Sequence, residues 1–150
     1  MATLVDIAEA VKDEINAGSF NQEFTAERKY VPIYTVESEA ILEVTVIPVS
    51  DESTVISRNQ VLCTYQVDVG VQKLIGTGDL SEQDVRDICD PLMTLAEQIR
   101  DLLDGKTLTT YTSAKCTKAI TKLVYSTELL DTKRVFMSVV NLTYEVVREP

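Results

Sequence analysis

The sequence predicts an α+β fold, a mainly antiparallel sheet of about four or five strands with two helices packed on one face. Three observations carry this. Two segments keep apolar residues at three- and four-residue spacing, the period of an amphipathic helix. The stretches between and after them are rich in β-branched residues, and the clearest of them alternates apolar and polar residues with period two. The two kinds of segment follow in the order helix, strands, helix, strands. A parallel crossover through the second helix would add one parallel strand pair.

The chain has 150 residues, 45% hydrophobic and 25% charged, with five Gly and four Pro. No stretch reads as a linker or a repeat, so residues 1–150 are expected to form a single domain that buries about two thirds of its unfolded surface.

Leu4, Ile7, Ala8, Val11 and Ile15 mark the first helix, with Glu9, Lys12, Asp13 and Asn16 opposite. Thr3 is placed to cap its start and Gly18 its end. "FNQEFTAERKYVPIYTVES" follows and reads as irregular chain or an edge strand, because Pro32 cannot donate to a ladder. "AILEVTVIPV", Ala40 to Val49, reads as a strand that ends at Pro48 before turn residues Ser50, Asp51 and Glu52. From Val61 to Lys73, Val61, Cys63, Tyr65, Val67, Val69 and Val71 point one way, with Thr64, Gln66, Asp68 and Gln72 opposite.

Ser81 and Asp84 resemble a capping box for the second helix. Val85, Ile88, Cys89, Leu92, Leu95, Ala96, Ile99, Leu102 and Leu103 keep its period, and Gly105 ends it. Pro91 removes a backbone donor inside it, which predicts a kink or break near Asp87. Two further strands, Ala114 to Tyr125 and Lys133 to Arg148, are joined through "STELLDT". The last is too long for its domain. It would span about 50 Å, against a diameter of about 38 Å for a compact chain of this size, so it either bends or reaches past its own core. It is also apolar on both faces, Val135, Met137 and Val139 alternating with Phe136, Val140 and Leu142. With helices on one face only, the second apolar set calls for a neighbouring subunit or for a loop such as Phe20 to Tyr34.

Chemistry is absent from the motifs. Without a single His, neither a Ser-His-Asp nor a Cys-His arrangement can form, and imidazole metal ligands are excluded. Neither GxxxxGK[ST] nor GxGxxG occurs; Gly76 and Gly78 lead into a helix start where Asp79, Glu82 and Asp84 would repel a phosphate. Cys63, Cys89 and Cys116 lack C-x-x-C spacing and read as reduced core thiols of a cytoplasmic protein. The acidic pairs Asp51 with Glu52, Asp101 with Asp104, and Glu37 with Glu39 match no known cation loop. No catalytic, cofactor-binding or metal residue is expected, and no enzyme.

A net charge of −10 argues against sequence-independent DNA binding. The first residues, with Asp6, Glu9, Asp13 and Glu14, lack the character of a signal peptide, and no apolar run is long enough for a membrane span. Lys118 and Lys122 share a strand face, where they either are solvated or meet a partner's carboxylates.

The succession "LEVTVIPVSDESTVISRNQ", "YQVDVGVQKL", "LMTLAEQIRDLL" and "LVYSTELLDTKRVFMSVVNLTYEVVRE", covering Leu42 to Glu149, resembles the tail terminator or tail-completion proteins of tailed-phage necks. The features that carry it are the Val-Pro strand ending, Ser57-Arg58, the Val-Asp-Val-Gly-Val-Gln strand, and the late Tyr-Ser followed by a strand closing on Tyr144 and Arg148. The resemblance implies a hexameric ring of this chain that caps the tail tube protein, meets head-tail connector proteins, and lets DNA through its lumen without binding it. It implies a place in the virion, after assembly in the bacterial cytoplasm. An acidic lumen would not retain the duplex. Arg28, Tyr30, Pro32, Arg58, Arg134, Val135, Met137 and Val139 are the expected subunit contacts. Another neck or tail component, either a connector subunit or a tube protein, is the nearest alternative. A cytoplasmic module binding a peptide or small molecule on the open sheet face is the more distant one.

Overall fold

The computed structural model of the protein describes residues 3–30, 42–76, 80–132 and 134–149. Helix α1 (Leu4–Ala17) opens with Thr3, whose hydroxyl accepts from the Asp6 amide while the Asp6 carboxylate accepts from the Thr3 amide. That reciprocal pair satisfies two of the donors a helix start leaves over. Gly18 does end α1, but in an extended conformation (φ −81°) rather than a left-handed one. Its lack of a side chain serves close packing: a Cβ there would stand 3.0–3.1 Å from the Phe20 ring and Leu102.

After the edge strand β1 (Ala26–Arg28), strand β2 (Leu42–Ser57) turns through Arg58 and Asn59 into β3 (Gln60–Leu74). Helix α2 (Glu82–Leu103) leads to β4 (Lys115–Leu123), the short helix α3 (Thr127–Thr132), and β5 (Val135–Arg148). The sheet order is β1-β2-β3-β5-β4, all antiparallel except β1 beside β2. The crossover through α2 makes β3 and β4 run the same way, but β5 is inserted between them, so the one parallel pair is made elsewhere.

Alternation decides the faces. Cys63, Tyr65, Val67, Val69 and Val71 of β3 share one side with Val44 and Val46 of β2 and with Phe136, Val140, Leu142 and Tyr144 of β5. Against that side lie Ile7, Val11 and Ile15 of α1 and Leu92, Leu95, Ile99 and Leu103 of α2, in one buried cluster. Helix α1 covers the β1-β2-β3 half and α2 the β5-β4 half. This is the α+β architecture that the alternation and helical periods predict.

Three elements differ from expectation. Strand β2 does not stop at Pro48 but continues to Ser57, so Ser50, Asp51 and Glu52 are strand, not turn. The reason is where the missing donor falls. The Val46 carbonyl accepts from Lys29 at 2.9 Å, on the β1 side, and Pro48, two residues on, presents its nitrogen to that same side, where β1 has already ended. A bulge at Val49 then restores pairing from Ser50 to Gln66.

Helix α2 is unbroken at Pro91. Pro91 is solvent-exposed, and its carbonyl accepts from Asn21 Nδ2 at 3.1 Å while Gln98 Oε1 accepts from the Asn21 amide at 3.0 Å. The apolar face on either side of it holds the helix to the sheet. The connection "STELLDT" contains a helix, and β5 begins at Val135, after Arg134 in a left-handed conformation (φ 56°). Lys133, the expected start, lies outside the described residues.

The long last strand is explained by its partner. All fourteen residues of β5 pair with β3, from Val135 opposite Leu74 to Arg148 opposite Val61. The sheet is simply longer than the helices that cover it.

Because Pro91 contributes no helical donor and is exposed, Pro91→Ala should raise stability by about 1–3 kcal/mol. Urea denaturation measures this, and a loss of stability instead would show that α2 depends on the proline for its seating against the sheet.

Candidate functional site

Twelve consecutive residues, Val49 to Gln60, are exposed. They form the far half of β2, the turn, and the first residue of β3, an arm whose Asp51 and Ser53 run beside the buried Tyr65 and Cys63 and whose tip lies past them. Val49, Val55 and Ile56 are apolar and exposed there, Val55 at 74%, and Val147 of β5 is exposed on the same end of the sheet. From Pro48 to Ser57 the strand has β3 on one side and, among the described residues, no strand on the other. About 33 Å of backbone donors and acceptors therefore face outward. A cleft of about 250 Å³ lies where the arm meets the start of α1, lined by Thr3, Asp51, Ser53, Cys63, Tyr65 and Arg148. Burial, with the Cys63 thiol adjacent, pushes the Tyr65 hydroxyl above its ordinary pKa.

The opposite edge of the sheet is β4. Its beginning is closed by the chain that follows α2: Gly105, in a left-handed conformation (φ 73°), donates to the Cys116 carbonyl at 3.1 Å, and Cys116 donates to the Lys106 carbonyl at 2.9 Å. Beyond that, Thr117 to Leu123 has β5 on one side and, among the described residues, no strand on the other. Ile120 is 43% exposed, and Val124 and Tyr125 just past the strand are exposed too. The strand carries Lys115, Lys118 and Lys122 and no acid, whereas β2 carries Glu43, Asp51 and Glu52 and no base.

The expected contacts do not make one surface. Arg28 is on β1, where its Nε donates to Glu9 Oε1 at 2.6 Å and its guanidinium stands 5.1 Å from the Tyr30 ring. It ties β1 to α1, and that interaction occupies it inside the chain. Tyr30 is 66% exposed, and Pro32 lies outside the described residues. Arg58 is at the tip of the arm, with Arg134 and Val135 at the other end of the β3–β5 ladder, about 45 Å away.

Val135 and Met137 are largely covered within the chain. They are on the helix-free face, as expected, but are only 2% and 4% exposed within the single chain. Gln72, fully buried on the same face, donates from Nε2 to Met137 Sδ at 3.5 Å, and Thr45 is buried with them. This end of the sheet needs no second copy to close it. Val139 is half-buried opposite Gly70. The middle of the same face is polar: Asp68 accepts from Asn141 Nδ2 at 2.8 Å and pairs with Lys122 at 3.3 Å. Lys122 thus finds its carboxylate in its own chain.

Sequence reasoning missed the arm because Ser50 to Ser53 carries turn residues. The signal that was available is the β-branched run Thr54, Val55 and Ile56, which favours extended backbone.

Among the described residues no group of three or more His, Cys, Asp or Glu side chains is placed to hold a metal ion. Cys63 and Cys116 are buried and Cys89 half-buried, all as free thiols, and burial raises the pKa of Cys89 and Cys116. Tyr144 is also pushed far up by burial, with the Cys116 thiol next in effect. No helix among the described residues is long and apolar enough to cross a membrane. No protein-family model matches the chain, and no curated protein matches it in sequence.

Glu9 is held below the ordinary carboxylate pKa, first by Lys12 and then by Arg28. A carboxylate lowered in the folded state adds stability that is present above the unfolded value of 4.5 and is lost as pH falls through the folded value. Glu9→Gln should therefore reduce stability at neutral pH and flatten its decline below about pH 4.5, read by thermal unfolding across pH. Parallel curves for the two proteins would show that the Lys12 and Arg28 contacts contribute nothing.

Proposed function

We infer that the protein is a non-enzymatic structural ring subunit of a tailed-phage neck, a tail terminator that caps the tail tube and presents a surface to the head. The observation that carries this is the open-edged sheet: an exposed strand edge of ten residues, with exposed apolar side chains, on a compact α+β core. Long exposed edges are usually blunted, covered or paired with another chain. A subunit that must join neighbours has a use for such an edge; a monomeric enzyme does not.

The resemblance over Leu42 to Glu149 supports the assignment to a neck, and the net charge of −10 suits a channel through which DNA passes without being held. The partners are then further copies of the chain in a ring, the tail tube protein, and head-tail connector proteins, with the virion as its place. A connector subunit or tube protein would share the same edges. The tube protein is distinguished by polymerising without limit.

The mass of the purified protein by light scattering across a concentration series, with negative-stain imaging, tests this. The expected result is a discrete ring, formed alone or when tail tubes of its own particle are added. Unlimited tubes would assign a tube protein, and a strict monomer that ignores tail tubes would overturn the structural reading in favour of a binding module.

A further inference from the structure

We propose that the subunits join head to tail through their sheet edges, the free edge of β2 in one copy pairing with the free edge of β4 in the next. This deepens the ring reading above and rests on it. Among the described residues each chain has two unpaired edges of comparable length, Pro48 to Ser57 and Thr117 to Leu123. Strand direction alternates across the sheet from β2 through β3 and β5 to β4. Placing β4 beside the next copy's β2 continues that alternation, so the junction is antiparallel and the two sheets become one.

Charge selects this pairing over the others. Glu52 is opposite Thr64, on the helix-free face; Lys118 is opposite Thr143 and Ile120 opposite Asn141, on that same face. A joined sheet therefore brings Glu52 of one copy to the side on which Lys118 of the other projects. Two β4 edges would set lysines against lysines, and two β2 edges Asp51 and Glu52 against the same residues, so both self-pairings are repelled. Only the unlike pairing is attractive. An interface between two different patches of one chain is heterologous, and where its rotation closes it makes a ring. The exposed apolar residues Val55 on the arm and Ile120 on β4 give the junction surface to bury beyond its ladder.

Charge reversal tests the pairing. Glu52→Lys and Lys118→Glu should each weaken self-association by about tenfold or more by light scattering, with thermal unfolding of the monomer unchanged, because both side chains are exposed. The double variant, which exchanges the two charges and so restores an attractive pair at every junction, should assemble to within a fewfold of the parent. Hydrogen exchange should slow at Asp51 to Val55 and at Thr117 to Leu123 on assembly. A ring whose formation ignores both reversals, or whose protection appears elsewhere, overturns the edge pairing and leaves the ring reading standing. A parent protein that never associates, alone or with tail tubes, overturns both.

Discussion

The structure depends on one ladder, the pairing of β3 with β5 along fourteen residues. Those strands lie at the centre of the sheet, with β2 and β1 on one flank and β4 on the other. Register in that ladder decides which side chains reach the core. Val67 opposite Leu142 and Tyr65 opposite Tyr144 put every large apolar side chain of the middle on the side that α1 and α2 cover. A slip of one residue would send all of them to the bare face. The long ladder also has a consequence outside the core. Helix α2 spans about 33 Å and packs on the β5-β4 half, so the far half of β2, on the other flank, is left exposed as the arm.

The unequal lengths of the outer strands create the edges. Strand β1 has three residues against sixteen in β2, and β4 has nine against fourteen in β5. Lysines and bulges on edge strands are a familiar way of blocking unwanted pairing, and β4 has both. Blocking by charge is selective, however. It excludes an uncharged or basic strand and admits an acidic one, so the same lysines that protect a monomer favour a single complementary partner.

Much of this fold was legible in the sequence because its strongest signals are periodic. The helical period of Leu4 to Ile15 and of Val85 to Leu103, the two capping boxes, and the alternation from Val61 to Val71 all correspond to observed elements. The failures occurred where local chemistry and tertiary context disagree. Pro48 and Ser50 to Ser53 read as the end of a strand, yet the lost donor faces a side with no partner strand among the described residues, and β3 continues alongside. Pro91 reads as a kink or a break, and no break occurs, because apolar residues on both sides of it pack in the core. At the site, the sequence pointed to strand edges in general but not to the edges that are free, since that depends on strand order. Val135 and Met137 looked like unpartnered apolar residues because nothing in their spacing reveals that both are buried within the chain or that Gln72 donates to Met137.

The two faces of the sheet also constrain how copies combine. The helical face is used up by α1 and α2. On the other face the centre is polar, with Gln66, Asp68, Asn141 and Thr143 around the Asp68 contacts to Asn141 and Lys122, and its apolar end at Val135 and Met137 is closed within the chain. Burying that polar centre against another protein would strip water from the Asp68 carboxylate, the Asn141 amide and the Lys122 ammonium, a cost that only a partner with matching polar groups offsets. Face-to-face stacking is therefore disfavoured on both sides of the sheet. The edges are what remain, and association through edges extends the sheet laterally. Under that pairing the helices of every copy stand on one side of a common wall and the polar face on the other, in contact with water.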